Sequence, residues 1–230
     1  KNLTGETWAG YRRAYRAMLQ YAIEEGLIDF NVAAAIRPLH LDEKLPTPFT
    51  VEAVRAIMQT AERWAPAMVP TLALQFFGGL RPIEATGLLW TDIDIKQKII
   101  RIRPEVTKGR RARIIEKLNP VLFDWLLPYR RAAGPVGVTT PSQYNYYLFR
   151  KPIGPAYEQE GVAIAERPED KRPQGIAKAA GVQWIADGPR KTFATMHFAT
   201  HGDAGKLAGI LGHTSGVDIL YKHYKGLATS

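Results

Sequence analysis

A chain of 230 residues with 46% hydrophobic content is long enough to bury a sizeable core, and its apolar runs fall far short of the roughly 18 residues needed to span a bilayer. Thirty-one lysines and arginines against 22 aspartates and glutamates give a formal net charge of +9, which favours a polyanionic partner, either nucleic acid or an acidic membrane surface. Cysteine is absent, which excludes a disulfide framework and thiolate metal sites and fits a soluble protein of a reducing compartment, the cytoplasm.

The opening KNLTGETWAGYRR has no apolar signal core and enters a helical pattern almost at once, as expected of a cut inside a longer protein. Trp8, Tyr11, Tyr15, Met18, Leu19, Ala22 and Ile23 recur at helical spacing, with Gly26 as the stop, and predict one long amphipathic helix. Pro38, Pro46 and Pro48 then mark a linker, and a domain boundary is expected near residue 47, separating residues 1–46 from 47–230.

Thr50 is placed to cap a helix with Glu52 in its first turn and Val54, Ile57, Met58 and Ala61 as its buried stripe. A second helix runs through Val69, Leu72, Ala73, Phe76 and Phe77 to Gly78-Gly79. Pro82 occupies a first helical position, so Arg81 projects a cation from the start of the short helix PIEATGLLW, with Glu84 at neighbour spacing to orient or cap.

Between residues 96 and 117 the pattern changes to β-type alternation, with Ile100 and Ile102 on one run, Arg113 to Glu116 on the other and Thr107-Lys108-Gly109 between them. Nine basic residues against two acidic ones in that span predict a basic β-hairpin that contacts phosphates, Arg110 and Arg111 foremost. Asn119-Pro120 reads as a cap and first-turn proline, opening a helix with Leu122, Trp125, Leu126 and Tyr129 inward and Pro128 ending it. From Gly134 to Gly175 the chain is expected to be irregular, apart from a helix that starts at Thr140-Pro141 and carries Tyr144, Tyr147 and Leu148. Helices over 190–201 and 203–211, a stop at Gly212 and a last helix through Ile219, Leu220, Tyr221 and Tyr224 complete the reading.

Two motifs lead nowhere. His197 and His201 have the spacing of a zinc-binding helix, but Phe198 stands where that motif needs its glutamate. GDAGK at 202–206 is too short for a phosphate loop, and Leu207 replaces the Ser/Thr that would hold magnesium. No metal and no cofactor is expected, and no carboxylate cluster suggests a two-metal nuclease.

Five segments in order, GLRPIEATGLLW, TKGRRARII, DGPRKTFATMH, LAGILGH and YKHYKGL, resemble the tyrosine recombinases of the phage-integrase type. The resemblance covers residues 47–230 as the catalytic domain, and residues 1–40 look like the end of that family's helical core-binding domain. It implies a mainly α fold with a small antiparallel β-sheet (α+β). It also implies a DNA strand-breaking and rejoining activity through a covalent 3′-phosphotyrosine, acting on double-stranded DNA as a homotetramer. The isolated chain is expected to be monomeric, with no membrane association.

Residue by residue, Arg81 and Arg190 match the family's two arginines. A guanidinium fork suits the non-bridging oxygens of a pentacoordinate phosphorus and stays cationic at any physiological pH. Lys108 matches the lysine that protonates the departing 5′ oxygen, which an arginine cannot do; the other reading is a solvated turn lysine. Lys191, beside Arg190, is expected to touch DNA, and Glu84 to orient Arg81. His213 matches the histidine that hydrogen-bonds a non-bridging oxygen, the alternative being a structural cap.

Asp187 stands where the family has His or Lys. As a carboxylate it is poorly matched to a phenol as a base, so it either positions a group or water in the site or caps the helix at Pro189-Arg190. Tyr224 in HYKGL is the preferred nucleophile and Tyr221 the alternative, at eleven and eight residues after His213. Two rival functions follow: a DNA-binding homologue impaired in catalysis, and a topoisomerase-like DNA-relaxing enzyme of type IB.

Overall fold

The computed structural model describes residues 4–39, 47–107, 109–153 and 174–212. The chain divides into two compact units, Lys1–Leu45 and Pro46–Ser230.

In the first unit α1 (Gly5–Glu24) begins where Thr4 Oγ1 accepts the Thr7 N–H at 3.2 Å, and Gly26, at φ +68°, turns the chain out of the helix. A 3₁₀ turn, Val32–Ala35, comes back along it, tied by Asn31 Nδ2 to the Arg16 carbonyl at 2.9 Å and by Arg12 Nε to the Ile36 carbonyl at 2.7 Å. The apolar stripe read from the sequence is present but open to solvent, with Tyr11, Tyr15 and Met18 all more than half exposed.

The second unit is built around α3 (Val69–Phe76), all eight of whose residues are buried. Its Gln75 accepts the Tyr144 hydroxyl at 3.1 Å and donates to the Thr71 carbonyl. Four helices pack on it. They are α2 (Val51–Trp64), α4 (Pro82–Gly87), α5 (Pro120–Leu126) and α8 (Gly188–His201). Thr50 caps α2 through the Ala53 N–H, and Ile57, Met58 and Ala61 are its buried residues while Val54 is half-covered. Asn119 Oδ1 accepts the Val121 N–H at 3.0 Å to start α5, and Pro128 lies in the 3₁₀ turn Leu127–Tyr129 that ends it.

A small antiparallel sheet in the order β1-β2-β3 follows α4, with β1 at Ile93–Asp94, β2 at Ile99–Ile102 and β3 at Arg113–Ile115. Ile100 stands opposite Ile93 and Ile115, Ile102 stands opposite Arg113, and the isoleucines Ile100, Ile102 and Ile115 face the core. Two strands were expected and, among the described residues, three are present; at two residues β1 is too short to show an alternation. The link between β2 and β3 spans 103–112 and holds a 3₁₀ turn, Pro104–Val106, so it is longer than a hairpin turn.

α6 (Pro141–Phe149) starts at Thr140-Pro141 as read from the sequence, with Thr140 Oγ1 accepting the Gln143 N–H, whereas α7 (Gly175–Ala179) stands at the edge of a stretch expected to be irregular. α9 (Ala204–Leu211) starts where Asp203 Oδ1 accepts the Lys206 N–H at 2.8 Å. The expected last helix lies outside the described residues. Among the described residues no helix is long and apolar enough to cross a membrane.

Gly79 adopts φ +69°, and a Cβ added there would stand 2.4 Å from a Phe193 ring carbon and 3.0 Å from a Leu211 methyl. Adding the left-handed backbone penalty to the overpacking penalty, Gly79→Ala is expected to destabilise the fold by roughly 2–5 kcal/mol. Urea denaturation measures this, and a loss below about 0.5 kcal/mol, the range of ordinary surface changes, would contradict the packing.

Candidate active site

Arg81 is the N-cap residue of α4, followed by Pro82, whose missing N–H costs nothing in the first turn. Glu84, one turn on, reaches back: its Oε2 accepts the Arg81 backbone N–H at 2.9 Å and its Oε1 meets Arg81 Nη1 at 3.3 Å. The backbone at the mouth of α4 and the cation it presents are thus set by one carboxylate.

Arg190 sits in the first turn of α8, and that turn is pinned from outside. The Phe49 N–H donates to Thr192 Oγ1 at 2.8 Å, Thr192 Oγ1 donates to the Gly188 carbonyl at 2.9 Å, and the Phe49 ring lies against Trp184 with centroids 5.3 Å apart. From this base Arg190 Nη1 donates to the Gly79 carbonyl at 2.6 Å and Nη2 to the Leu211 carbonyl. Arg81 Nη1 reaches the same Leu211 oxygen at 3.5 Å. Leu211 ends α9, where Gly212 at φ +63° turns the chain, and the last carbonyls of a helix have no partner inside it and carry partial negative charge. That end draws both guanidinium groups, 109 positions apart in sequence, onto one atom.

The Glu84 side chain is only 1% exposed. Arg113 on β3 forks it with two bonds of 2.9 Å, and Arg190 Nη1 lies 3.9 Å from Oε2. Burial alone would push the Glu84 carboxyl up; the Arg113 hydrogen bonds, the Arg81 N–H and the charges of Arg113 and Arg190 outweigh it and hold the group below the usual carboxylate range. The guanidiniums of Arg81, Arg113 and Arg190 stand around this one carboxylate, a concentration of donors of the kind that stabilises a phosphate gathering negative charge.

Beside this cluster opens a cleft of about 590 Å³, lined by Arg81, Thr107, Gly109, Arg111, Arg113 and Gly212 among others. Arg110 and Arg111 are exposed, and the Arg111 N–H is anchored on Thr107 Oγ1 at 2.9 Å. Lys191 instead bends its ammonium onto the Ala186 carbonyl at 2.9 Å. Asp187 is exposed and left-handed at φ 53°, and its side chain accepts no bond from the start of α8, so the capping role weighed for it is not what this residue does. Lys108, His213, Tyr221 and Tyr224 lie outside the described residues. His197 and His201 stack with centroids 4.5 Å apart; burial, then the charges of His201 and Lys206, push the His197 ring down to about 4, and among the described residues no group of three or more metal-ligating side chains occurs.

The arginine that sequence reasoning missed is Arg113, read there only as part of a basic strand. Its signal was the two-residue period: Arg113 and the buried Ile115 share the inner face, while Ile114 is 61% exposed.

A carboxyl held below its unfolded value of about 4.3 stabilises the fold above that value and loses the contribution as pH falls through the folded value. Wild type is therefore expected to be more stable than Glu84→Gln near neutrality, with the gap narrowing below about pH 4 in urea titrations. A gap that stays constant from neutral to acid pH would contradict an ionised, paired Glu84.

The model of the phage integrase family matches residues 48–228. Over 119 residues the chain is 32% identical to tyrosine recombinase XerC of Chlamydia trachomatis, a match covering 50% of this chain and 36% of the relative. Tyrosine recombinase XerD of Mycobacterium leprae is 29% identical over 116 residues, covering 47% and 36%. The chain thus matches little more than a third of the length of these relatives. The crystal structure of XerA recombinase aligns with 97% of this chain and 79% of its own at a TM-score of 0.51 and 18% identity. An integrase of transposon Tn1549 in complex with circular intermediate DNA aligns with 97% and 76% at a TM-score of 0.58 and 16% identity, a likeness of fold. With Arg81 and Arg190 gathered on the end of α9, and most of the second unit matched, the chain belongs to the phage integrase family, the tyrosine recombinases.

Proposed function

We propose that this chain is the catalytic part of a site-specific recombinase that cleaves and rejoins double-stranded DNA through a 3′-phosphotyrosine. The observation that carries the reading is the convergence of Arg81 and Arg190 on the Leu211 carbonyl, beside a basic cleft and around a buried glutamate. A phosphodiester entering there displaces the guanidiniums from that weak acceptor and offers them two charged oxygens in its place. The Tyr224 phenol oxygen attacks phosphorus and gives up its proton to solvent water, the bond to the 5′ oxygen breaks, and the Lys108 ammonium protonates the departing oxygen. Arg81, Arg190 and His213 hold the non-bridging oxygens as their charge grows. The phosphotyrosine ester keeps the bond energy, so the reverse attack by a 5′ hydroxyl reseals the strand without ATP.

Arg110, Arg111 and Lys191 track the DNA backbone in this reading, and the first unit is the end of a helical DNA-clamping domain whose tyrosine-bearing face of α1 awaits cover. The assembly on DNA is a homotetramer, with the isolated chain monomeric. A second reading, a DNA-binding relative without catalysis, draws on Asp187, an exposed carboxylate at the position where the family's general base stands.

A nicked suicide DNA substrate followed by mass spectrometry decides between them. A covalent adduct on Tyr224 is expected, abolished by Tyr224→Phe and retained in Tyr221→Phe. Arg81→Ala and Arg190→Ala are each expected to slow its formation by about 10² to 10³. Capture that survives Tyr224→Phe and vanishes in Tyr221→Phe reassigns the nucleophile, and capture by neither tyrosine supports the binding-only reading.

A further inference from the structure

Among the described basic residues of 96–117, Arg113 is the one paired with Glu84. Its side chain is 13% exposed, its Nη1 and Nη2 fork both oxygens of Glu84, and its Nε donates to the Ile210 carbonyl at 3.0 Å. The backbone of Gly212 lies on its guanidinium, since a Cβ there would be 3.0 Å from Nη1 and 3.1 Å from Cζ. Arg113 therefore joins three segments: α4 behind Arg81, the end of α9 two residues before His213, and its own strand, five residues after Lys108.

We propose that Arg113 is a positioning residue for strand cleavage: by forking both oxygens of Glu84 it limits how far that carboxylate draws the guanidiniums of Arg81 and Arg190 onto itself. The proposal rests on the reading of the site as a strand-cleaving centre. A buried carboxylate cannot stay without partners, because desolvation is severe and is offset only by close, well-aligned cations. With Arg113 removed, Glu84 has two ways out. It draws Arg81, now at 3.3 Å, and Arg190, now at 3.9 Å, onto itself and away from the DNA, or it takes up a proton and loosens its hold on the Arg81 backbone. Either outcome displaces the groups that meet the phosphate, and a misplacement of about 1 Å at a reacting centre costs on the order of 10² in rate. Lysine is a poor substitute, since a point charge cannot fork a carboxylate.

The experiment uses the full chain with Arg113→Gln, Arg113→Lys, Glu84→Gln and the Arg113→Gln/Glu84→Gln double variant. It reads DNA affinity against salt, the single-turnover rate of adduct formation against pH, and the titration of the Glu84 carboxyl by ¹³C NMR. For Arg113→Gln the expected result is affinity and salt slope near wild type, with adduct formation slower by about 10². The acid limb of its rate profile moves to higher pH, because ionised Glu84 is the active form and burial is now less opposed; Arg113→Lys recovers part of the rate, and the double variant lacks the moved limb.

Four results would overturn the proposal: a wild-type rate in Arg113→Gln, a loss confined to affinity with a shallower salt slope, an unmoved acid limb, or a Glu84 titration unchanged by the substitution. Should wild type itself form no adduct, the strand-cleaving reading fails. The Glu84 titration still decides whether Arg113 governs that carboxylate.

Discussion

The Glu84 carboxylate, shut away from solvent and forked by Arg113, constrains everything around it. An ionised group in that position is tolerated only when cations and N–H donors approach from several sides, and here they come from the start of α4, from β3 and from α8. Meeting that requirement forces three segments distant in sequence to converge. The same convergence brings Arg81 and Arg113 to the wall of the cleft.

The helical scaffold supplies the rigidity that this arrangement needs. α3 is buried along its whole length and fixes the Gly78-Gly79 exit that aims Arg81 and offers a carbonyl to Arg190. α8 is fastened at its first turn by Phe49, a residue at the very entrance of the second unit, so the position of Arg190 depends on how the chain enters that unit. α9 contributes its C-terminal carbonyl to the cluster, an acceptor shared by both arginines.

Much of this was legible before any coordinates, for reasons that differ by element. The caps at Thr50, Asn119-Pro120, Thr140 and the helix beginning after Asp203 are local, since a side chain bonds an N–H two or three positions on and its meaning does not depend on the rest of the fold. Arg81 and Glu84 were readable for the same reason, being three residues apart on either side of a helix start. Arg113 was not: it is one basic residue in a basic run, and only the direction of its side chain, set by strand register, separates it from Arg110 and Arg111. The short β1 and α7 leave no periodic trace. The conformation of Asp187, left-handed and uncapping, depends on the loop before it, and a periodicity shows an apolar stripe on α1 without showing whether it is covered.

The most direct measurement is a structure of the chain on a nicked duplex with orthovanadate bridging the strand ends as a pentacoordinate phosphorus mimic. The account predicts guanidinium nitrogens of both Arg81 and Arg190 within about 3 Å of oxygens on the same vanadium, with Glu84 still forked by Arg113. Vanadate held by other residues while Arg81 and Arg190 remain on the Leu211 carbonyl, or Glu84 released from Arg113 in the complex, would contradict it.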